Sequence, residues 1–501
     1  MPSNNDTSNA VTEPSTKTQP EADTSVARAL ALLQRGDSTL LTDALVDMLV
    51  GTRYEDLPPG TVSAVRRSTL DLIGCMLAAA GVPECDAVLG TAGGFSTGRG
   101  ARVFGRSMRL APAMAAFVNS TAGRALDMDD LYEPGQAHAT VAVMPVLLAV
   151  ADTLDKPMSG REFVVATATS VDLLARLSLA PRRSPNETGI SPTWHFGTFA
   201  GAAAAARALG CDRAGMRNAL GFALGMTGGT RQSNIEGVAS IRVQQGWSAH
   251  CGVIAAQLAA QGIAAPKAVF EGRFGYYNVY SPGAWDPQPI LEDLGKRFAM
   301  DALTLKLYPA CKYAHGAIEG MLKLRRRRPF RTSEVRRIRV RVPEMSFSSV
   351  CQPDAAKRAP QSVPAAQFSL PYLTAATLVR GRLSVAELSP DALRDEEILG
   401  WTRRIQIERD DSLVAGNSLA LSAAIVEVEL SSGELLSETV LGTAGDPQNP
   451  CDFDQVLGKA RDLLRSANVD NARLDEIAAM VASIENVPDI RALSALLQPA
   501  S

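Results

Sequence analysis

The spacing of apolar residues divides the chain into three stretches. Across residues 26–299, the segments "VARALALLQRG", "VSAVRRSTLDLIGCMLAAAG", "MAAFVNSTAGRALDM", "ATVAVMPVLLAVADTL" and "GREFVVATATSVDLLARLSLA" place Leu, Val, Ile and Ala at steps of three and four. That is the period of helices with one face turned inward. Short Gly, Pro and Asn breaks separate them. The longest break, "AVLGTAGGFSTGRGARVFG", predicts a connecting loop, because it lacks the glycine spacing of the common phosphate-binding turns.

After about residue 300 the period falls to two. "VRRIRVRVPEMS" alternates Arg337, Arg339 and Arg341 with Ile338, Val340 and Val342, which predicts a half-buried strand. "RRIQIERDD" repeats the signature, and "AAIVEVELSSGELLSETVLG" predicts two strands joined at Ser432-Gly433. "SVPAAQFSLPYLTAATLVRG" and "SVAELSPDALRDEEIL" between them predict helices. From about 443 the helical period returns, with Asp452 as N-cap and Gln455 as its capping-box partner. The pattern predicts a mainly α protein: a large all-helical domain (26–299), a smaller inserted α+β domain (300–442), and C-terminal helices (443–501) that rejoin the first. Residues 1–25 are polar, without an apolar stretch of the kind a secretory signal carries, and predict a disordered tail.

Composition narrows the function. The 501 residues carry a net charge of −3, so no global basic field attracts nucleic acid or an anionic membrane surface. The run "KLRRRRPFR" predicts a solvated helix end. No apolar run reaches the roughly 18–20 residues of a membrane span. The 7 cysteines are scattered without metal-ligand spacing, which points to a reducing compartment. A cytoplasmic protein is the expectation.

Chemistry concentrates in a few neighbourhoods. Asp127, Asp129 and Asp130 crowd into four positions of "RALDMDDLYEPGQAHATVAVMP", with His138 shortly after. If the preceding helix continues, Asp127 and Asp130 share a face. Carboxylates at a helix C-terminus oppose its dipole and call for a facing cation, whether a metal, an oriented histidine or Arg124. There are only 4 histidines, and His138, His195, His250 and His315 each sit beside glycine, small residues or polar groups. An imidazole exchanges protons at neutral pH, as carbon-acid chemistry requires. The alternative for each is a satisfied interior ring, and His250, in a strongly apolar helix, fits that best or meets a second subunit. Arg231, Gln232, Asn234 and Arg242 make one segment polar, and Lys306, Tyr308 and Lys312 lie near His315. Arginine forks grip carboxylates, so a small anionic acid held between the two domains is the expected partner.

The blocks "FVNSTAGRALDMDD…HATVAVMP", "WHFGTFAGAAAAARALG", "GWSAHCGVIAAQLAAQG…EGRFGYYNVY", "YPACKYAHGAIEG", "AAQFSLPYLTAA" and "GDPQNP" together resemble the MmgE/PrpD family, in the family's order, from about residue 40 to 490. The resemblance implies an all-helical domain with an inserted α+β lid, a homodimer, small di- or tricarboxylate substrates and no cofactor. It matches Asp127 to the aspartate of the L-D-x-D-D motif, His138 to the histidine after it, and His195 to the histidine of the next glycine-rich helix. His315 and Lys312 match the Y-P-x-C-[RK]-x-x-H block, and Tyr372 the tyrosine of the lid. Two positions depart. Leu131 stands where decarboxylase-type members carry a pocket threonine, and Ile241, followed by Arg242, stands where many members carry a lysine.

The implied chemistry makes or breaks a C–H bond beside a carboxylate. His138 and His195 are the expected proton-transfer pair, with Asp127 orienting them and Tyr372 donating a hydrogen bond or proton. Arg242, Lys312, His315 and Gln232 are the expected carboxylate holders, and no metal ligand is assigned. Dehydration of a 2-methylcitrate-like hydroxy acid is the first expectation. Epimerisation or decarboxylation of a related acid, a catalytically reduced dimeric scaffold, and a metal-dependent lyase using the aspartates are the alternatives.

Overall fold

The computed structural model describes residues 40–414, 421–465, 467 and 469–499. The expected tail and the first predicted helix, "VARALALLQRG", lie outside the described residues.

The chain is mainly α with a smaller α+β part. It builds two hydrophobic cores. The larger draws on residues 41–305 and again on 451–497, and the smaller on residues 310–436. In the larger core, α1 (Pro112–Ala125), α2 (Thr140–Ala151), α3 (Pro192–Ala208) and α4 (Ser240–Ala260) pack against one another. Alanine and glycine let them approach closely. A Cβ on Gly252 of α4 would stand 2.7 Å from the carbonyl carbon of Gly201 in α3, and one on Gly246 2.4 Å from the carbonyl oxygen of Phe117 in α1. Every residue of α2 is buried, which explains why its sequence is apolar on all faces.

In the smaller part, helix α5 (His315–Arg327) lies against a four-stranded sheet. Its strands are β3 (Val335–Val342), β4 (Gln406–Arg409), β5 (Ala424–Leu430) and β6 (Leu435–Val440), in the order β4-β3-β5-β6. Ile338, Val340 and Val342 point inward from β3 as the alternation predicts, and Gly433 makes the β5–β6 turn at φ 87°. The strands match the sequence expectation. The capping box also forms, with Gln455 N–H on Asp452 and Asp452 N–H on the Gln455 side chain, opening α6 (Phe453–Arg465).

One local expectation fails, and one condition is not met. The glycine-rich segment is not a plain loop. Its first half is the end of a helix (Pro83–Gly93), and its second forms β1 (Ser96–Arg102), paired with β2 (Arg109–Leu110). Helix α1 ends at Ala125 rather than running through the aspartates, so Asp127 and Asp130 do not share a helix face. Among the described residues no single helix is long and apolar enough to cross a membrane.

Candidate active site

Because α1 stops short, the chain turns sharply at Asp127, whose φ of 53° is the left-handed conformation that Asp tolerates better than most residues. The turn sends the three aspartates in different directions, and each finds a different partner. Asp130 serves α2: it accepts from Thr140 N at 3.1 Å and Thr140 Oγ1 at 2.5 Å, capping a helix whose own N-cap position, Ala139, has no side-chain acceptor. Burial pushes its carboxyl up to about 7. Asp127 accepts from Lys306 Nζ at 3.0 Å and pairs with Arg124. Burial alone would raise this carboxyl, but Arg124 and Lys306 outweigh it and hold it well below the usual range. Asp129, fully buried, lies 2.9 Å from His138 Nδ1 and 3.4 Å from Arg124 Nη1. The contact with His138 is ionic and oblique, without the alignment of a full hydrogen bond.

His138 therefore has Nδ1 turned to Asp129, and its Nε2 has no hydrogen-bond partner among the described residues. Burial and the nearby Arg124 lower the imidazole below its ordinary value, against the raising influence of Asp129. The ring is neutral at pH 7, the state in which it can accept a proton.

These groups line one wall of a cavity of about 80 Å³ between the helical part and the α+β part. Arg124, Asp127, His138 and Lys306 contribute from one side, and Cys311, Lys312, Tyr313 and Phe368 from the other. Ser191, Pro192 and Thr193, at the start of α3, also face it, and Thr193 Oγ1 accepts from His138 N–H at 3.1 Å. Leu131, Trp194, Ile241 and Leu421 give the cavity an apolar side. Arg231 lines it too, and its guanidinium has no hydrogen-bond or ion-pair partner among the described residues.

Of the eight residues expected at the site, three reach this cavity: Asp127, His138 and Lys312. Lys312 is largely committed elsewhere. It donates to Thr443 Oγ1 at 2.6 Å, pairs with Asp446, and lies 3.5 Å from Glu133. The other five are not among its lining. His195 has both ring nitrogens engaged: Nε2–H donates to Gly229 O at 3.0 Å, so Nδ1 accepts from Tyr276 OH at 3.0 Å. Burial lowers it to about 4, so the ring is neutral, and both its nitrogens are held by protein partners outside the cavity's lining. His315 donates from Nε2 to Ala310 O at 3.1 Å, and burial holds it far below its ordinary value, which leaves it no charge to attract a carboxylate. Tyr372 is fully buried in the smaller core and donates its OH to Glu387 O at 2.9 Å. Arg242 is buried between Glu84, at 3.0 Å, and Gln367 Oε1, at 2.9 Å. Gln232 is exposed, donating to Glu236 at 2.6 Å. His250 stacks on Trp247 with centroids 4.9 Å apart, away from the site.

Among the described residues no group of three or more His, Cys, Asp or Glu is arranged to hold a metal ion, and Asp127 and Asp129 are met by protein cations. One further support comes from far along the chain. Lys459 of α6 donates to Asp71 at 2.6 Å and to the carbonyl of Met128 at 2.8 Å, pinning the turn between Asp127 and Asp129. The spacing of α6 gives no hint of this contact.

The site is thus a buried carboxylate–imidazole pair facing a small cavity rich in cationic side chains, walled on one side by an α+β part. The chain belongs to the MmgE/PrpD family: the family's N-terminal domain matches residues 43–288 and its C-terminal domain residues 308–485. It is 28% identical over 463 residues to a cis-aconitate decarboxylase of Aspergillus terreus (strain NIH 2624 / FGSC A1156), covering 88% of this chain and 93% of that one. It is 23% identical to the cis-aconitate decarboxylase of Mus musculus, covering 91% and 93%. With the 2-methylcitrate dehydratase of Cupriavidus necator it shares 25% over 437 residues, covering 81% and 86%.

Proposed function

We propose that this protein is a cofactor-independent lyase that acts on a small tricarboxylate by proton transfer at carbon, and that its reaction is the dehydration of an alkyl-bearing, 2-methylcitrate-like hydroxy acid. The observation that carries the reading is the neutral His138, backed by Asp129 at 2.9 Å, in the same cavity as the unpaired Arg231. His138 Nε2 removes the proton from the carbon beside a carboxylate. Arg231 holds that carboxylate, and Lys306 and Arg124 meet the negative charge that develops on it. Tyr313 lines the cavity as a phenol that burial keeps protonated; its OH donates to Gln136 Oε1 at 3.1 Å, and it is the group assigned to turn that proton to the departing hydroxyl oxygen.

Leu131 and Ile241 support the alkyl substituent. Both line the cavity and neither can hydrogen-bond, so a substrate that set a polar group against them would leave it unsatisfied. An alkyl branch suits that wall. Decarboxylation of an aconitate-like acid is the second reading, favoured by the activity named for the Aspergillus terreus and mouse relatives.

The test is incubation with hydroxy and unsaturated tricarboxylates, with and without a methyl branch, in heavy water under NMR. The expected result is a new C=C signal and solvent deuterium at carbon with the methyl-branched hydroxy acid, both abolished in His138→Gln. Carbon dioxide release from the unsaturated acid instead would transfer the assignment to decarboxylation. Binding without any turnover of the panel would favour a non-catalytic role.

A further inference from the structure

A second, larger cavity adjoins the first. This outer cavity, of about 480 Å³, shares Arg231, Asn234, Cys311, Tyr313 and Phe368 with the inner cavity and ends on Lys357. Its described lining contains no carboxylate. Lys357 is only 6% exposed, yet its ammonium has no hydrogen-bond or ion-pair partner among the described residues. Its neighbours Asp354 and Arg358 pair with each other instead.

The Lys357 side chain is largely enclosed, its ammonium reaches the cavity without a counter-charge among the described residues, and burial lowers its affinity for the proton. Proteins keep such a group where a ligand supplies the missing anion. Arg231 stands at the waist shared by both cavities, so an acid whose reacting end lies against His138 passes it on the way out.

We propose that the outer cavity is a second anionic subsite, in which Lys357, together with Arg231, binds the distal carboxylate of a substrate longer than the inner cavity alone accommodates. The inference rests on the proposed tricarboxylate chemistry of the inner cavity and adds the substrate's reach. The inner cavity has room for on the order of five to eight waters, enough for the reacting carbons and their nearest groups, whereas the outer one takes an extended arm. Lys357 is thus a specificity-determining residue, and the chain should prefer acids with a carboxylate several carbons beyond the reacting centre.

Calorimetric titration with two tricarboxylates tests this: tricarballylate, and a homologue with one arm lengthened by two or three methylenes. The proteins are the full-length wild type, Lys357→Gln and Lys357→Arg. Wild type should bind the long acid more tightly. Lys357→Gln should lose on the order of tenfold for the long acid while the short acid is unchanged, as expected for loss of one charge-assisted contact, and Lys357→Arg should restore most of it. Equal effects on both acids, or none on either, overturn the subsite. If the short acid binds and a short hydroxy acid is turned over while the long acid gains nothing from Lys357, only the subsite falls. If neither acid binds, both the subsite and the tricarboxylate reading fall.

Discussion

Asp129→Asn separates charge from shape at the centre of the proposed chemistry. The carboxylate can only accept, so it selects the His138 tautomer with the proton on Nδ1 and leaves the Nε2 lone pair free. An Asn amide can offer an N–H in the same place, which moves the ring proton to Nε2 and removes the base. In hydrolases that rely on a buried carboxylate behind a catalytic imidazole, this swap costs about 10⁴ in kcat. Here the 2.9 Å contact is oblique and Arg124 shares the carboxylate at 3.4 Å, so orientation by Asp129 is weaker. The expected loss is about 10²–10³ in kcat, or roughly 2.7–4 kcal/mol of barrier. KM should stay within about threefold, because Arg231 is untouched. The pH–rate profile supplies a readout that misfolding would not imitate. His138 must be neutral to act, so activity falls as pH drops through its pKa. Asp129 raises that pKa, so Asp129→Asn should move the acid limb to lower pH. Initial rates on a dehydrated or decarboxylated acid give both numbers. A kcat within about threefold of wild type would refute the pairing of Asp129 with a catalytic His138.

His195 predicts a pH dependence of stability. Its folded value of about 4 lies below the ordinary 6.5, so the unfolded chain takes up its proton first as pH falls. The contribution is complete above about 6.5 and is lost between there and about 4, by roughly 3 kcal/mol. Urea midpoints at pH 7 and pH 4.5 should fall less for His195→Gln than for wild type, and equal falls would contradict the assignment. Tyr372→Phe should leave kcat within about twofold and cost about 1 kcal/mol in urea unfolding, since its OH serves only the carbonyl of Glu387. A hundredfold loss of kcat would instead place Tyr372 in the chemistry.

Much of the fold was legible because its signals are local. The alternation of Arg337, Arg339 and Arg341 with apolar partners marks β3, and the Asp452–Gln455 pair marks the start of α6. The glycine-rich segment misled because a two-residue strand, β2, supplies its pairing partner, and nothing that short leaves a period. At the site, residue type was a good guide to chemistry and a poor guide to direction. By residue type and motif Asp127 is the carboxylate to orient an imidazole, but its left-handed backbone turns it to Arg124 and Lys306 and leaves Asp129 to His138. His195 and His315 share histidine's chemistry with His138, and only their buried partners distinguish them. Arg231 is legible as a cation, but what sets it apart from Arg242 is that no carboxylate among the described residues pairs with it, whereas Arg242 meets Glu84. Glu84 is far away in sequence, so no local pattern reports the difference.

The contact of Lys459 with the Met128 carbonyl has a consequence for how the protein comes into being. The two residues are separated by 331 positions, so the turn that carries Asp127 and Asp129 is fastened by a helix synthesised long after it. Contacts of that span form late, because the intervening chain must be ordered before they repay its entropy. During translation the helices around His138 can assemble, and Asp127 and Asp129 can meet Arg124, before Lys459 fastens the Met128 carbonyl between them. A nascent chain is thus expected to acquire its shape before its activity, with competence arriving only when α6 docks.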